Sequence, residues 1–309
     1  MAVWAGFLLL GTIWGSSFLL IKLGVAELTP LQLVAVRVAI AAAAMLITLR
    51  LTRQHFPADR PTRLRLAGVG LLNTALPFVL ITWGEQSIDS GLATVLNATV
   101  PLFSLVIAHF ALQDERITPF RVLGLLCGFG GVMLLASRTA ADGGRANSIA
   151  GQLAVLAASL CYAAAAVYMR RTLRHLRPMV VSSGALLSAA TTMIAITLLV
   201  DGAPDLTHIS GGAVAAVLTL GVVNTYIAYL LYYWIIDRWG ATRATLVTYL
   251  MPPVGLTLGV IFLREPLDAL LIGGALLIGA GVGLVNGRQI RQALAGTPGR
   301  DGTGESHAR

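Results

Sequence analysis

The stretch NTALPFVLITWGEQSIDSGLATVLNATVP, residues 73–101, is repeated in outline by NTYIAYLLYYWIIDRWGATRATLVTYLMP, residues 224–252. An Asn-Thr pair, a Trp, an Ala-Thr pair and a Pro occupy the same places in both, 151 positions apart. Further matches, 148 to 150 positions apart, are Pro30 with Pro178, Glu115 with Glu265 and Gly124 with Gly274. Polar and helix-breaking residues seldom match in order by chance, so the sequence predicts a duplicated unit of roughly 150 residues. Within a membrane, such duplication is typical of transporters.

The composition predicts an integral membrane protein. Apolar residues make up 56% of the 309 residues and charged residues only 12%, whereas soluble domains carry about 25% charged residues. Continuously apolar stretches favour helices over the alternating strands of a β-barrel. We therefore predict an all-α integral membrane fold with ten transmembrane helices of about 20 residues. The predicted spans are at about 3–23, 31–49, 66–83, 91–112, 119–137, 150–169, 179–200, 211–236, 244–263 and 268–287.

Each copy contains five predicted spans, and this odd number decides the topology. The second copy must enter the membrane in the opposite direction to the first, as an inverted-topology repeat. We expect the first five-helix repeat over 1–140 and the second over 148–287. Residues 288–309 are polar and rich in glycine, so we expect a disordered cytoplasmic tail.

The net charge of +8 is distributed unevenly. If the N-terminus lies in the cytoplasm, 17 of the 22 lysines and arginines lie on the cytoplasmic side. This asymmetry follows the positive-inside rule and predicts both termini in the cytoplasm. The basic residues then face the headgroups of a bacterial inner membrane, so we expect no nucleic acid as a partner. The two cysteines and five histidines show no disulfide or metal-ligand spacing, and we expect no metal and no cofactor.

Three groups of residues carry a resemblance to a known family. The opening span contains Trp14-Gly15-Ser16-Ser17-Phe18 and Lys22, and the second span contains Arg37. Each half ends with a proline, an apolar helix, a short acidic turn and a glycine-rich helix, from Pro101 to Gly131 and from Pro252 to Gly281. On these residues the chain resembles ten-helix members of the drug/metabolite transporter superfamily, of the EamA type, over about residues 3–287. The resemblance implies transport of small organic metabolites, such as amino acids or drug-like solutes, often outward.

One departure from that pattern concerns proton coupling. The four-helix multidrug relatives carry a carboxylate in their first span for proton exchange, whereas span 3–23 has no Asp or Glu. The sequence places all 14 acidic residues in loops, tails or span ends. A buried carboxylate is the usual proton relay in a membrane. The sequence therefore disfavours proton antiport through a carboxylate and favours uniport or another coupling group.

Asn73 and Asn224 are a repeated pair of polar residues in the third span of each copy. A polar side chain in hydrocarbon costs free energy unless it has a partner, so both should face a cavity or another helix. We weigh a substrate cavity at the midplane evenly against a hydrogen bond that only links helices.

Pro77, Pro101 and Pro252 are expected to break their spans, because proline leaves a backbone carbonyl without its helical partner. Pro101 and Pro252 match between the copies, and broken helices at matching positions indicate a binding site. A packing kink without a ligand is an equal alternative. Asn97 and Thr248 each stand four residues before these prolines, one helical turn away, and are candidate cavity residues.

Aromatic residues are concentrated in the second copy. Tyr226 and Tyr249 each present an apolar ring with one polar group, which suits a mostly apolar metabolite pocket. Trp14 and Tyr162 match at an offset of 148 and lie in mid-span, so we expect them to line the cavity. For the run from Tyr232 to Trp234, an aromatic belt at the membrane interface is the better interpretation.

Arg37 is the charged residue that lies deepest in a predicted span. It is a candidate anchor for a substrate carboxylate, but pairing with Glu27, with Glu85 or with backbone carbonyls is favoured. Lys22 lies nearer the outer surface, so its ammonium group is expected to extend to the interface.

Glycines in the fifth and tenth predicted spans have a spacing that allows close helix packing, as in Gly124 with Gly128 and Gly279 with Gly283. The seam could join the two halves of one chain or two copies in a homodimer. Glu115 and Glu265, in turns between predicted helices, are each expected to cap the helix that follows.

A multi-span membrane enzyme or lipid-modifying protein is the alternative function. It would need a cluster of catalytic groups at one membrane face, and the five histidines are scattered along the chain. We therefore predict a transporter rather than an enzyme, which works by alternating access with a small-molecule substrate and the lipid bilayer as its partners.

Overall fold

The computed structural model describes residues 2–112, 117–141, 147–202 and 209–287, and within these ranges all regular structure is helical. The predicted disordered tail, 288–309, lies outside the described residues. A four-residue helix, Ala241–Ala244, precedes the ninth long helix. The long helices are α1 (Ala2–Val25), α2 (Pro30–Leu51), α3 (Arg60–Glu85), α4 (Ser90–Ala111), α5 (Pro119–Ala141), α6 (Ile149–Thr172), α7 (Pro178–Val200), α8 (Gly211–Trp239), α9 (Thr245–Leu263) and α10 (Ala269–Val285).

The lengths and hydropathies of these helices match those of membrane spans. In the part of the chain that the structure describes, nine helices are long and apolar enough to cross a membrane. The remaining helix, α10, has 17 residues, or about 26 Å at 1.5 Å per residue. That length is slightly less than the hydrocarbon thickness of about 30 Å. The structure therefore shows a multi-pass helical membrane fold, and ten crossings stay a prediction.

Side-chain caps explain where several helices begin. Asp59 accepts a hydrogen bond from the backbone N–H of Thr62 at 2.8 Å, which starts α3 six residues before the predicted span. The hydrogen bonds from Thr62 lower the pKa of Asp59. Ser148 and Ser210 cap α6 and α8 in the same way. Because the first N–H groups of a helix lack intrahelical partners, such caps define helix starts in water or at the interface.

Four helices are interrupted, at matching places in the two halves. In α3, residues Leu71–Ala75 form a π-helical turn, and in α8 residues Val222–Ile227 do the same. These turns contain the repeated Asn-Thr pairs. In α4 the helix breaks at Ala98 and Thr99, and α9 opens with 3₁₀ geometry over Thr245–Leu250. The matching distortions extend the repeat from sequence to backbone geometry.

A glycine seam holds α5 against α10 within one chain. A Cβ on Gly281 would lie 2.5 Å from the Gly124 carbonyl oxygen, and a Cβ on Gly131 would lie 2.8 Å from the carbonyl oxygen of Gly274. Backbone therefore contacts backbone, and this pairing of residues makes the two helices antiparallel. The seam joins the two halves, which answers the alternative left open by the sequence.

Two groups of contacts join the ends of different helices, one group at each end of the bundle. At one end, hereafter the Glu27 end, Glu27 accepts hydrogen bonds from the backbone N–H and the hydroxyl of Ser210, both 2.6 Å long. At the same end the Asn147 amide donates to the Asp89 carboxylate at 2.8 Å. At the opposite end, hereafter the Gln54 end, the ring centroids of Trp4 and Trp239 lie 4.6 Å apart, and Gln54 donates to the Met179 sulfur at 3.5 Å. The first group lies at the α1–α2, α3–α4, α5–α6 and α7–α8 connections, and the second lies at the α2–α3 connection, the start of α7, the start of α1 and the end of α8.

Candidate functional site

Arg37 lies in the interior of the bundle, between side chains of α8 and α3. Its side chain is only 5% exposed, and its Nε donates a hydrogen bond to the hydroxyl of Thr225 at 3.0 Å. The guanidinium carbon lies 4.0 Å from the centroid of the Phe78 ring, a cation–π distance. Thr225 belongs to the π-helical turn of α8, and Phe78 follows that of α3. The sequence favoured pairing with Glu27, with Glu85 or with backbone carbonyls, whereas the hydrogen bond goes to Thr225 and Glu85 acts on Arg37 only electrostatically.

The guanidinium group of Arg37 keeps binding capacity after these contacts. Arginine has five N–H donors in a planar fork, and the hydrogen bond that the described residues form with Arg37 uses only Nε. The remaining donors suit a carboxylate, which arginine binds through two parallel hydrogen bonds. The hydroxyls of Tyr162 and Tyr229 lie within electrostatic reach of the same cation. The arrangement can bind an organic anion at depth.

Tyr162 lies within electrostatic reach of Arg37, whereas the contacts of Tyr226, Tyr249 and Trp14 are with other residues. Tyr162, Tyr226 and Tyr249 are half-buried and pack against the main hydrophobic core. The Tyr226 hydroxyl lies 2.7 Å from the hydroxyl of Thr48 on α2, and Tyr249 accepts a hydrogen bond from Asn286 at 2.6 Å. Trp14 packs in a separate cluster, with its ring centroid 5.3 Å from that of Tyr232. The structure therefore assigns Trp14 and Tyr162, which match in sequence, to different surroundings.

The two matched asparagines have different partners. The side-chain amide of Asn224 is buried and donates to the backbone carbonyl of Ile13 and to the hydroxyls of Ser16 at 3.1 Å and Ser17 at 3.0 Å. These contacts link α8 to α1. Asn73 is half-buried, and no residue in the described ranges forms a hydrogen bond with its side chain.

The predicted helix breaks occur directly before each of the three prolines. Pro77 follows the π-helical turn of α3, Pro101 follows the break in α4, and Pro252 follows the 3₁₀ stretch of α9. The side-chain oxygen of Asn97 is buried at the α4 break without a hydrogen-bond partner. Thr248 instead donates to the carbonyl of Thr245 at 2.9 Å, within its own helix. Of the two candidates beside Pro101 and Pro252, Asn97 is therefore the one with an unpartnered buried acceptor.

A cluster of charged groups lies at the Glu27 end, and the sequence did not predict its contacts. The Lys22 ammonium group donates to the backbone carbonyls of Glu85 at 2.6 Å and Ile88 at 2.8 Å, rather than extending to the interface. The Glu85 side chain is 0% exposed, and neither carboxylate oxygen has a hydrogen-bond partner. Glu85 lies at the end of α3, as the sequence predicted. This helix end is buried in the protein and is not in contact with water.

Glu265 caps a helix of the other half, and the prediction that it caps the helix after it is wrong. Its carboxylate accepts hydrogen bonds from the backbone N–H groups of Ser90 at 2.6 Å and Gly91 at 2.9 Å, at the start of α4. The following helix, α10, is capped by Asp268. Glu115 lies outside the described residues.

Sequence reasoning missed Thr225, Phe78 and the burial of Glu85. Thr225 had a signal, because it belongs to the repeated Asn-Thr pair. Phe78 had a weaker signal, because the position 151 residues later is the aromatic Tyr229. Glu85 had none, since the matching position, 236, is an isoleucine. No group of three or more His, Cys, Asp or Glu in the described ranges could hold a metal ion.

Comparison with known proteins assigns the chain to a family. The model of the EamA-like transporter family matches residues 2–137 and again residues 149–287. One solved crystal structure superposes with a TM-score of 0.65 over 94% of this chain and 98% of its own, at 22% identity, a likeness that concerns the fold alone.

Curated relatives match along nearly the whole chain. A probable terminal-alkyne amino-acid exporter from Streptantibioticus cattleyicolor is 32% identical over 97% of this chain and 98% of its own. The uncharacterized inner membrane transporter YedA of Escherichia coli K12 is 30% identical over 80% and 78%, and the uncharacterized transporter YoaV of Bacillus subtilis is 25% identical over 91% and 95%. With its all-helical membrane fold and two family matches, this chain belongs to the EamA-like transporter family of membrane transporters.

Proposed function

We propose that this protein exports small organic metabolites that carry a carboxylate, of the amino-acid or drug-like class. Solutes would cross by alternating access of two inverted five-helix repeats. The observation that carries the proposal is Arg37, which is buried between Thr225 of the second half and Phe78 of the first with donors to spare. A buried cation in a span is costly unless it serves a ligand or a partner.

The two groups of end contacts support the inverted topology. The connections whose contacts are described favour alternating ends, as ten crossings require. We therefore propose two repeats, 1–140 and 148–287, with α10 completing the tenth crossing and the tail from 288 in the cytoplasm. The Gln54 end carries most of the arginines, so we assign it and both termini to the cytoplasmic side of a bacterial inner membrane. The α5/α10 seam is used inside one chain and does not by itself call for a homodimer.

The tyrosines near Arg37 support an amphipathic solute. Tyr162 and Tyr229 lie within electrostatic reach of the guanidinium group and supply apolar rings with polar groups. Elsewhere in the bundle, Asn97 supplies a buried acceptor without a partner. Such a mixture suits a carboxylate joined to an apolar or aromatic side chain. A relative named as a probable amino-acid exporter matches the same substrate class. Asn73 stays a candidate lining residue, whereas the hydrogen bonds of Asn224 favour a role in joining helices.

Transport of labelled amino acids tests the proposal. Proteoliposomes loaded with unlabelled amino acids should take up each labelled counterpart, aromatic ones included, faster than equally loaded liposomes without the protein do. Arg37→Met should reduce the exchange of carboxylate-bearing solutes at least tenfold, because the methionine keeps the packing but provides no donors. Arg50→Met, on an exposed residue of the same helix, is the matched control and should leave exchange unchanged. Exchange at the parent rate in a well-inserted Arg37→Met variant would contradict this role.

Labelling from the two sides tests the topology. Cysteines placed at Ala26 and Gln54, in a variant that lacks Cys127 and Cys161, should react with a membrane-impermeant reagent from opposite faces. We expect Ala26 to react in intact cells and Gln54 only in inverted vesicles. Reaction of both positions from one face would remove the basis for two inverted repeats.

A further inference from the structure

Glu85 is an unpaired carboxyl group in the interior of the bundle. Its side chain is 0% exposed, and both carboxylate oxygens lack hydrogen-bond partners. It ends α3, one turn before α4 begins. No other acidic side chain in the described ranges is buried in this way. The roles derived above for Arg37 and the tyrosines do not involve it.

The positive groups that face Glu85 have other partners. Lys22 comes from α1, but its ammonium group is held by the backbone carbonyls of Glu85 and Ile88. Arg37 comes from α2 and acts on Glu85 only electrostatically, since its hydrogen bond goes to Thr225. Neither cation therefore neutralises the carboxyl group by direct contact.

The remaining neighbours of Glu85 bring no positive charge. From the turn after α9, Glu265 adds a second carboxylate, which binds the start of α4. Asp89, before α4, is held by Asn147. From α6, the residues packed against Gly84 are Gly151 and Val155, which carry no charge.

These surroundings favour the neutral form of Glu85. An ionised carboxylate without hydrogen bonds is very costly to bury, whereas the neutral acid is much less so. A second carboxylate nearby disfavours ionisation further. In the structure the Glu27 end is closed over Glu85. The protonated carboxylic acid is therefore the favoured form of this side chain.

We propose that Glu85 is a proton-binding site linked to closure of the Glu27 end. As this end closes, the carboxylate takes up one proton from the water on that side, and when it opens the carboxylic acid returns the proton to that water. The proton adds to a carboxylate oxygen, and no other bond forms or breaks. This inference rests on the proposed function, because alternating access requires the Glu27 end to open for solute release.

The turn from Glu85 to Gly91 connects the proton to the closure. A carboxylate is a stronger acceptor for an ammonium group than a neutral carbonyl is, so ionised Glu85 draws Lys22 away from the carbonyls of this turn. The same turn presents the N–H groups that Glu265 binds from the second half. Proton loss thus loosens the segment on which the second half docks. Closure binds a proton, so acid on the outer side favours the closed state and a rise in pH favours the open one.

A distance measurement tests the site without a known solute. Spin labels are placed at Gln86→Cys and Leu267→Cys, two exposed positions of the Glu27 end in different halves, in a variant with Cys127→Ser and Cys161→Ser. The distance distribution is measured in liposomes over a series of pH values. We expect the ratio of open to closed populations to rise with pH, by up to about tenfold per pH unit, the limit for one proton. Glu85→Gln, which resembles the protonated acid, should stay closed at every pH.

Two comparisons make the outcome decisive. Asp237→Asn removes an exposed carboxylate elsewhere and should keep the parent response to pH. A parent distribution that does not change with pH, or a response that persists in Glu85→Gln, would overturn the proton site. Amino-acid exchange in the same vesicles at a single pH separates the two ideas. If amino acids exchange but the distance does not change with pH, only the proton site is rejected. If no amino acid exchanges, the result counts against the proposed function instead.

Discussion

At the scale of single residues, matched positions serve different purposes in the two halves. Asn224 donates to a backbone carbonyl and two hydroxyls of α1, and so fixes α8 against α1. Asn73 is its counterpart in sequence and forms no hydrogen bond with the described residues. A duplicated sequence therefore conserves the local turn while the partners of its side chains diverge.

The stability of two variants should reveal this difference. Asn224→Leu removes interhelical hydrogen bonds and should lower the free energy of unfolding by about 0.6–1.7 kcal/mol, between the average and the largest value for such bonds in a membrane protein. Asn73→Leu loses no such bond and should change stability less. Unfolding of both variants in the same detergent provides the comparison. Equal losses would show that Asn73 has a structural partner after all.

The sequence could identify Arg37 as the deepest charge, because burial of a charge depends on its place in an apolar run. It could not identify Thr225 and Phe78 as neighbours, since they come from helices whose relative rotation is set by π-helical turns. A π-helical turn rotates the side chains of the helix that follows it, and no single residue type predicts where such a turn occurs. Glu85 was assigned to a span end by sequence, but its burial depends on Glu265 and α6 covering that end.

At the scale of helices, glycine determines which helices touch. The spacing of Gly124 and Gly128 in α5 predicts close approach but not the identity of the partner, because any helix with small residues would fit. In α10 the expectation for Gly279 and Gly283 is wrong, since neither meets an atom within 4 Å and the seam uses Gly274 and Gly281 instead. The structure shows that α5 and α10 are the partners of each other. The spans themselves could be predicted within several residues, since hydropathy alone limits them.

Two glycines in one helix provide a matched test of the seam. A Cβ on Gly281 would lie 2.5 Å from both the Gly124 carbonyl oxygen and the Gly128 nitrogen, whereas one on Gly283 meets nothing within 4 Å. Because backbone cannot move aside as a side chain can, Gly281→Ala should destabilise the protein by about 1–3 kcal/mol. Gly283→Ala should be neutral or slightly stabilising, since alanine favours helix. Thermal unfolding of the two variants checks this, and similar melting temperatures would refute the backbone contact.

At the scale of the whole molecule, the halves are tied together at the Glu27 end by exposed as well as buried groups. Glu27 of the first half accepts two hydrogen bonds from Ser210 of the second. The Ser210 hydroxyl, and then its backbone N–H, lower the pKa of the Glu27 carboxyl group. The folded state therefore binds a proton at Glu27 less readily than the unfolded chain does.

This shift predicts how stability depends on pH. A carboxyl group with a lowered pKa adds stability above its ordinary pKa of about 4.3, and the gain is lost as the pH falls through the lower pKa of the folded state. Glu27→Gln should thus be less stable than the parent at neutral pH, with a difference that shrinks under acid conditions. Ser210→Ala should reduce the same pH dependence. A difference between parent and Glu27→Gln that is constant from neutral to acid pH would argue against this contact.

The backbone contact between α5 and α10 has a consequence for any study of motion in this protein. Two helices whose peptide groups already touch cannot approach further, and separating them would lose the close packing that holds helices together in lipid. We expect the remaining helices to rearrange around this stationary pair during each turnover. The distance between positions 128 and 281 should then be the same in every state. It can serve as the reference distance against which displacement of the other helices is measured.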